Sequence, residues 1–360
     1  MGIEMTTRRQ FITRLIATGL VPKPTWANAG SPAYLSAAAL PDGSYVLCGI
    51  SAQLDLLFQI PLPGRGHAAA AHPKRPQAVA FARRPGTFAL VIDCATGRPT
   101  ATLCAPTGRH FYGHGAFSRD GNWLFTTEND FEAGQGRVGV WDVRHGYKRT
   151  DEFSSGGIGP HDIKRLPKTE ILVIANGGID THPDTGRTKL NIPTMAPNLA
   201  YIEQGAVVET ASLASELYKN SIRHLAVSAS GKIAFGMQWQ GDSNVPPLVG
   251  IHARGHPMRT IEAPQESLRK MRGYVGSIAF TGDERRIVVT SARGGCVQTY
   301  DINESGRPFN TVLIDASGVA PSQTGVLISS GTGVLRHLSR LSAPSSRVSE
   351  LRWDNHLVPL

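Results

Sequence analysis

One pattern recurs along most of this chain and constrains its fold more than any other feature. The clearest copy, residues 113–142, holds a Gly-His pair, a short strand, an SRDG turn, a second strand ending in Glu-Asn-Asp, a Gly-rich loop and the strand VGVWD. Units with the same outline open at His67, His161 and His224. Copies that recur every few dozen residues mark a repeat architecture, in which each copy is one supersecondary unit.

Each unit contains four short strands separated by turn signals, which predicts the antiparallel sheet of one β-propeller blade. Two further units, starting near Gly276 and Gly318, follow the same outline without the opening histidine. Residues 30–66 leave room for three strands only, and one orphan strand starts at Asn355. We therefore predict an all-β, seven-bladed propeller whose ring is closed by pairing the C-terminal strand with the N-terminal strands, since closure removes unpaired edges.

The composition agrees with one large all-β domain. The 360-residue chain has 39 glycines and 24 prolines, as expected where many short strands need many turns. Its 41% hydrophobic residues are enough for a large core, and the repeats assign residues 30–360 to a single domain. No apolar run reaches the ~18 residues of a membrane helix, so we expect no membrane span. We also expect a monomer.

The first 29 residues predict a targeting segment rather than part of the fold. Arg8 and Arg9 precede a modest apolar run, and the residues A-N-A at 27–29 supply a small-x-small cleavage pattern. This arrangement resembles a twin-arginine (Tat) signal peptide, residues 1–29, with an ordinary secretory signal as the alternative. It predicts a periplasmic protein exported by the twin-arginine pathway. Proteins of that class cross the membrane folded, often with a cofactor inserted, which favours a bound cofactor.

The net charge argues against one class of partner. It is +9 for the whole chain, and it falls to +6 without residues 1–29 because that segment carries four basic residues and one acidic residue. The remaining basic residues are scattered among turns rather than gathered in stripes with aromatic residues between them, so we expect no nucleic-acid partner. The charge favours solubility and attraction of anionic ligands.

The cysteines define no metal or redox motif. They are Cys48, Cys94, Cys104 and Cys296, and their spacing matches no C-x-x-C pattern. A periplasmic location permits disulfides, but the spacing does not define a pairing. We expect mostly buried free thiols.

Five histidines occupy corresponding positions in the predicted blades, each at the start of an innermost strand: His67, His114, His161, His224 and His356. These strands surround the central channel of a propeller, so we expect the imidazoles near its mouth. The second strands return to the same face, and their ends add further ligand candidates: Glu128, Asn129, Asn176, Gln238 and Arg293. The insertion at 179–197 joins second and third strands on that face and is placed to cover the mouth.

The histidines have two interpretations. In WD-repeat propellers a Gly-His pair roughly two dozen residues before Trp-Asp holds the loops of each blade by hydrogen bonds, and His114 precedes Trp141 and Asp142 at that kind of distance. The other interpretation is an imidazole cluster that binds iron, copper or another ligand through neutral nitrogen donors. No catalytic residue can be named, because the sequence lacks the G-x-S-x-G, P-loop, H-E-x-x-H and C-x-x-C-H motifs.

Several longer runs together resemble one bacterial protein family. They are PLPGRGH at 61–67, FARRPG at 81–86, YGHGAFSRDG at 112–121, TTENDF at 126–131, GIGPHDI at 157–163 and ANGGIDTHPDTGR at 175–187. With these runs the mature chain resembles the Tat-exported family catalogued as domain of unknown function 1513, similar in outline to YVTN-type and quinoprotein-type propellers. The resemblance implies a seven-bladed propeller, a periplasmic role linked to iron, and imelysin-like or di-haem peroxidase-like partners. It brings no activity and no catalytic residue.

Three hypotheses of function follow from these observations. The one we favour is a non-enzymatic periplasmic propeller that binds a metal, a metal complex or a partner protein at the channel mouth, as an accessory to iron acquisition. The second is an enzyme, either a metal-dependent oxidoreductase or a lactonase-like hydrolase, in which Glu128 and the histidines hold the catalytic ion. The third is an interaction scaffold, in which the histidines are structural and the insertion at 179–197 binds a protein.

Overall fold

Seven antiparallel sheets follow one another around a closed ring. Six of them use four consecutive strands each, and the seventh joins both ends of the chain, which confirms the predicted all-β, seven-bladed propeller. The computed structural model describes residues 23–83, 86–186, 188–242, 244–303, 306–339 and 345–360. Arg8 and Arg9, and with them most of the predicted signal peptide, lie outside these residues.

Within each of blades 1 to 6, chain order runs from the innermost to the outermost strand, since the first strands of neighbouring blades contact one another. The strands of blades 1 to 3 are β4 (Gly66–Ala71), β5 (Gln77–Ala82), β6 (Ala89–Asp93), β7 (Arg98–Leu103), β8 (Arg109–Phe117), β9 (Trp123–Asp130), β10 (Gln135–Asp142), β11 (Lys148–Ser154), β12 (Pro160–Arg165), β13 (Leu172–Asn176), β14 (Asn198–Glu203) and β15 (Ala206–Ser212). Those of blades 4 to 6 are β16 (Asn220–Val227), β17 (Ile233–Trp239), β18 (Val249–His252), β19 (Arg259–Thr260), β20 (Ser277–Phe280), β21 (Arg286–Ser291), β22 (Cys296–Asp301), β23 (Phe309–Val312), β24 (Ala316–Ser322), β25 (Gly325–Ser330), β26 (Val334–Ser339) and β27 (Ser346–Val348).

Blade 7 closes the ring. Its strands are β1 (Tyr34–Ala39), β2 (Tyr45–Ile50), β3 (Leu56–Leu62), β28 (Arg352–Trp353) and β29 (Val358–Pro359). Both C-terminal strands pair antiparallel with β1. The sequence predicted one closing strand from Asn355, whereas the structure has two short strands on either side of residues 354–357. Ser36 secures that intervening stretch, because its Oγ donates a hydrogen bond to the backbone carbonyl of His356 at 2.9 Å.

The core lies between the blades rather than at the centre of the ring. Among the described residues, buried apolar side chains form seven clusters, each of which joins two neighbouring blades. Phe81 of blade 1, for example, packs with Leu124 and Trp141 of blade 2. The second strand of each blade is largely buried because both faces of a blade are covered, and β13 is buried along its whole length. Each large side chain so buried stabilises the fold by roughly 1.5–3 kcal/mol.

The insertion at 179–197 between β13 and β14 carries two short 3₁₀ turns, Pro183–Thr185 and Ile192–Thr194. Asn129 of blade 2 holds it by donating to the Thr181 carbonyl at 2.9 Å. A single short α-helix, α1 (Gln265–Lys270), precedes blade 5 in the described part of the chain.

The four cysteines are free thiols, in agreement with the expectation from the sequence, and three of them are buried. The described residues include no helix that is long and apolar enough to cross a membrane.

Candidate metal centre

The five repeat histidines meet in the channel because the innermost strands change register beside them. Such shifts lie at or next to the histidine in blades 1 to 4: Gly66/Ala69, Phe111/Gly115, Pro160/Asp162 and Ile222/His224. A β-bulge breaks the strict alternation of side chains and re-aims a residue. As a result, imidazoles from five different blades contact one another.

The five imidazoles form a closed arrangement across the channel. Successive ring centroids lie 4.6 to 5.2 Å apart in the order His67, His114, His161, His224 and His356. His114 also lies 4.7 Å from His356 and 6.4 Å from His224, so it contacts all four of the others. Four of the residues are buried, and His161 is half-buried. The cluster is therefore enclosed in the channel rather than open at its rim.

A buried carboxylate orients the central imidazole. Nδ1 of His114 lies 3.1 Å from Oδ1 of Asp162, and both side chains are buried. Burial by itself raises the pKa of Asp162, but Lys164 and His114 outweigh burial and hold that pKa well below its usual range. An ionised Asp162 accepts the Nδ1 hydrogen of His114, which turns the Nε2 atom of that ring toward the other imidazoles. That Nε2 lies 3.3 Å from Nε2 of His67.

A second buried carboxylate, Asp354, lies on the other side of the cluster. It accepts hydrogen bonds from Arg65 Nε at 2.7 Å and from Arg83 Nη1 at 2.6 Å. Its Oδ1 is also 3.9 Å from Nδ1 of His67, too far for a hydrogen bond. Burial raises the pKa of Asp354, and the cationic partners together with His67 bring it well below its usual range. Asp354 thus carries a negative charge beside the cluster.

Half of the ring nitrogens in the cluster have no hydrogen-bond partner. Within the described parts of the chain, five buried nitrogens of the cluster lack a hydrogen-bond partner: His67 Nδ1, His161 Nδ1, His224 Nδ1, His224 Nε2 and His356 Nε2. Burial lowers the pKa of His67 to about 4 and those of His161, His224 and His356 well below the ordinary value. At neutral pH these side chains are therefore uncharged and present lone pairs.

The spacing of the nitrogens suits a metal ion. Two sets of three histidines bring one nitrogen from each residue within 4.8 Å of one another: His67, His114 and His356, and His114, His161 and His224. Nitrogens bound tetrahedrally at about 2.0–2.1 Å from an ion lie about 3.3 Å apart. The Nε2 atoms of His67 and His114 are already at 3.3 Å. His114 belongs to both sets, so an ion held by either set is bound to it.

The structure does not bring Glu128 into this cluster. The side chain is fully buried, and both carboxylate oxygens accept hydrogen bonds from Arg149 of the outermost strand β11, at 2.6 and 3.1 Å. Burial raises the pKa of Glu128 while Arg149 opposes that rise. Because this ion pair engages both oxygens, Glu128 is not available as an open metal ligand or as a general base.

The other predicted ligands hold the loops around the channel. The amides of Asn129, Asn176 and Gln238 donate to backbone carbonyls of other segments, namely Thr181, Ser155 and Val275, at 2.9, 2.9 and 3.1 Å. The guanidinium of Arg293 stacks on Tyr274, 4.7 Å from the ring centroid. These four residues build the surroundings of the cluster and do not belong to either set of three histidines.

Sequence reasoning missed the two carboxylates that flank the cluster. Asp162 directly follows His161, and Asp354 stands two residues before His356. An acidic residue within two positions of a repeating histidine was the available signal, because ligating imidazoles are usually oriented by a carboxylate. The partner of Asp162 is nevertheless His114 of the neighbouring blade, which only the packed ring reveals.

The fold and the cluster define a seven-bladed β-propeller with an all-imidazole centre in its channel. Residues 60–360 match the family described as Protein of unknown function (DUF1513), and the chain belongs to that family. Among solved structures it is similar to hydrazine synthase of Kuenenia stuttgartiensis, with a TM-score of 0.59 and 13% identity, over 88% of this chain and 96% of that chain. That likeness shows the fold alone. No curated protein matches the chain significantly.

Proposed function

We propose that this protein binds a transition metal ion at the channel histidines and acts as a binding protein rather than an enzyme. The observation that carries the proposal is the group of five buried imidazole nitrogens without a partner among the described residues. Each buried polar atom left unsatisfied costs about 1–3 kcal/mol. One bound cation satisfies several of them at once, which a purely structural role for these rings does not.

A buried histidine outside the cluster shows what a structural role looks like. Nδ1 of His252 in blade 4 accepts a hydrogen bond from the Tyr201 hydroxyl at 2.6 Å, and Nε2 donates to the backbone carbonyl of His256 at 2.8 Å. Both ring nitrogens of His252 therefore have partners, as expected of a structural imidazole. His72 in blade 1, another buried histidine outside the cluster, accepts two backbone N–H groups at Nδ1 and has no partner at Nε2. The channel histidines contact mainly one another instead, and this contrast favours the ligand interpretation over the structural one.

The donor set narrows the choice of metal. Neutral imidazole suits iron, copper, nickel and zinc, whereas calcium and magnesium require oxygen ligands. Copper(II) forms the strongest complexes among the divalent first-row metals, so we expect it to bind most tightly to the purified protein. Iron or copper is the native metal that we propose. Asp162 would raise the basicity of His114 and hold its ring in place.

The proposed location and partners of the protein rest on the sequence. Export by the twin-arginine pathway to the periplasm is proposed from the signal-like residues 1–29. A role beside iron uptake, with imelysin-like or di-haem peroxidase-like partners, is proposed from the family resemblance alone. The enzymatic alternative drew on Glu128, and the ion pair of Glu128 with Arg149 does not favour it.

The test is a titration of the metal-free chain with Cu²⁺, Fe²⁺ and Zn²⁺, measured by calorimetry. Elemental analysis then counts the ions bound per chain. We expect one ion per chain, and a loss of affinity of at least 100-fold in His114→Ala, since His114 belongs to both sets of ligands. The half-buried His161→Ala serves as a second variant if His114→Ala does not fold. The matched control is His72→Gln, which should bind as the parent protein does. Unchanged affinity in both folded cluster variants would overturn the proposal.

A further inference from the structure

A cavity opens where the innermost strands of blades 6, 7 and 1 begin. It is lined by Asp315, which immediately precedes β24, by Arg352 at the start of β28 and by Gly66 at the start of β4. Its volume is about 210 Å³. A cavity of about 150 Å³ accommodates benzene, whereas sites for drug-sized ligands have about 300–1,000 Å³. The space therefore suits a small molecule.

This cavity reaches from solvent to the side of the histidine cluster. Arg65 and Asp354 also line it, and the Arg65 side chain is half exposed whereas that of Asp354 is buried. Oδ1 of Asp354 lies 3.9 Å from Nδ1 of His67. A further wall residue, Trp353, is buried, and among the described residues its indole nitrogen has no hydrogen-bond partner. Since an indole N–H can only donate, this wall residue lacks an acceptor.

Two of the four charged wall residues neutralise each other, and two do not. Asp354 accepts hydrogen bonds from Arg65 and from Arg83, which does not line the cavity. Arg352 and Asp315 are both exposed, and within the described part of the chain neither forms an ion pair with the other or with a third residue. One cavity is thus lined by an uncompensated positive charge and an uncompensated negative charge. A molecule that carries both charges would complement them.

The backbone around Asp315 holds its carboxylate in place. Its φ of 52° lies in the left-handed region, which aspartate and asparagine adopt more readily than most other side chains. Its backbone carbonyl accepts hydrogen bonds from the Gly331 N–H at 3.0 Å and from the Ser317 hydroxyl at 2.9 Å. A Cβ atom at Gly331 would collide with Oδ2 of Asp315, so the glycine makes room for the carboxylate. Backbone conformations of this kind cluster at ligand sites.

We infer that this cavity binds a small zwitterionic α-amino acid, with its carboxylate on Arg352 and its ammonium group on Asp315. A guanidinium group binds a carboxylate through two parallel hydrogen bonds, and an ammonium group donates a charge-assisted hydrogen bond to a carboxylate. The alanines at 37–39, which line the cavity, leave room for a short apolar side chain. The site uses neither set of channel histidines, so it goes beyond the metal proposal and exists in the metal-free protein.

The experiment is calorimetric titration of the metal-free chain with L-alanine, the larger L-leucine, propionate and ethylamine. Propionate is alanine without the ammonium group, and ethylamine is alanine without the carboxylate. We expect one amino-acid molecule to bind per chain. Each fragment should bind at least tenfold more weakly than alanine, because it complements only one of the two charges.

Two variants assign the two charges. Asp315→Asn suits the left-handed backbone, and it should weaken alanine binding at least tenfold without weakening propionate binding. Arg352→Gln should weaken the binding of alanine and propionate without weakening that of ethylamine. The matched control, Arg119→Gln/Asp151→Asn, removes one charge of each sign from exposed positions in blade 2. It should bind as the parent protein does.

The outcomes separate this inference from the metal proposal. His114→Ala should bind the amino acids as the parent protein does, whether or not the parent binds metal. If neither amino acid binds, or if the fragments bind as tightly as alanine, the inference is overturned even where metal binding is found. Equal losses in the control and in the two cavity variants would overturn it as well. Melting temperatures of all variants establish that they are folded.

Discussion

The innermost strands of blades 3 and 6 bend in the same way but carry different chemistry. In blade 6 the pairing register of the innermost strand shifts between Ala316 and Val319, and a similar shift lies beside His161 in blade 3. The bulged part of blade 6 contains Gly318, where a Cβ atom would lie 2.9 Å from the backbone nitrogen of Leu357. The bulge thus occurs without an imidazole. It belongs to the propeller architecture, and the histidines are an addition that five of the seven blades carry.

The links between neighbouring innermost strands lead to the same conclusion. Ser277 Oγ of blade 5 accepts the Val319 N–H at 3.2 Å, and Asp162 Oδ2 of blade 3 accepts the Leu225 N–H at 2.9 Å. A neutral hydroxyl is enough to make this link between the two blades that carry no channel histidine. The link itself therefore does not require the charge of Asp162, and that charge pairs with His114 instead.

The largest effect on this comparison is expected from deleting residues 355–360. Blade 7 contributes both a histidine and the closure of the ring, since Leu35 pairs with Val358 and Leu357 is buried. Opening the ring and exposing Leu357 should lower the free energy of unfolding by more than about 3 kcal/mol. Urea unfolding measures it. His356→Asn keeps the strand and should stay close to the parent protein in stability; a truncated chain with an unchanged midpoint would contradict this role.

Lowering the pH should reduce the stability of the fold through the buried histidines. The pKa values of His67 and His72 are lowered to about 4, chiefly by burial. Between pH 6.5 and 4 the unfolded chain binds more protons than the folded one, so the free energy of unfolding falls as pH falls through this window. The depressed pKa values of Asp162 and Asp354 add a loss only at still lower pH.

Melting curves of the metal-free protein from pH 7 to 4.5 test this dependence. We expect His72→Gln to retain most of the pH dependence, because the pKa values of the other channel histidines are lowered by burial as that of His67 is. A melting temperature that does not change between pH 7 and 5 would mean that these imidazoles do not remain neutral and buried in the fold.

Replacing Asp162 compares the charged link between blades 3 and 4 with the neutral link between blades 5 and 6. Asp162→Asn keeps an oxygen for the Leu225 N–H but loses the charge that holds His114. Changes of this kind at a carboxylate beside a metal-binding imidazole typically reduce affinity 10- to 100-fold. We expect that loss in a competition titration with copper, with little change in melting temperature. An equal loss in Ser277→Ala would mean that the links, and not the charge, support binding.

The smallest effect is expected from Ser277→Ala itself. The residue is 5% exposed, and its hydroxyl satisfies one backbone N–H of blade 6. Removing one such partner costs about 1 kcal/mol of stability. Chemical unfolding should show that loss while metal affinity stays the same. A weaker metal affinity in this variant would show that the two blades without a channel histidine also shape the centre.

Much of the architecture could be predicted from local patterns. The three strands expected between residues 30 and 66 are β1, β2 and β3, and the C-terminal segment pairs with β1 as predicted. The common position of the five histidines also came from the repeat. The environment of Glu128 could not be predicted in this way, because its partner Arg149 stands 21 residues away on the outermost strand of the blade.

The sequence by itself determined the number of blades, the closure of the ring and the level at which the histidines stand, because these depend on periodicity and turn residues within a few dozen positions. The tertiary structure alone decided which nitrogens of the cluster are left without partners and which carboxylate orients His114. Asp354 and Arg65, for example, are 289 positions apart and pair only in the closed ring. Side-chain pairing across blades depends on distances of a few tenths of an ångström, which the ring geometry sets and the local pattern does not.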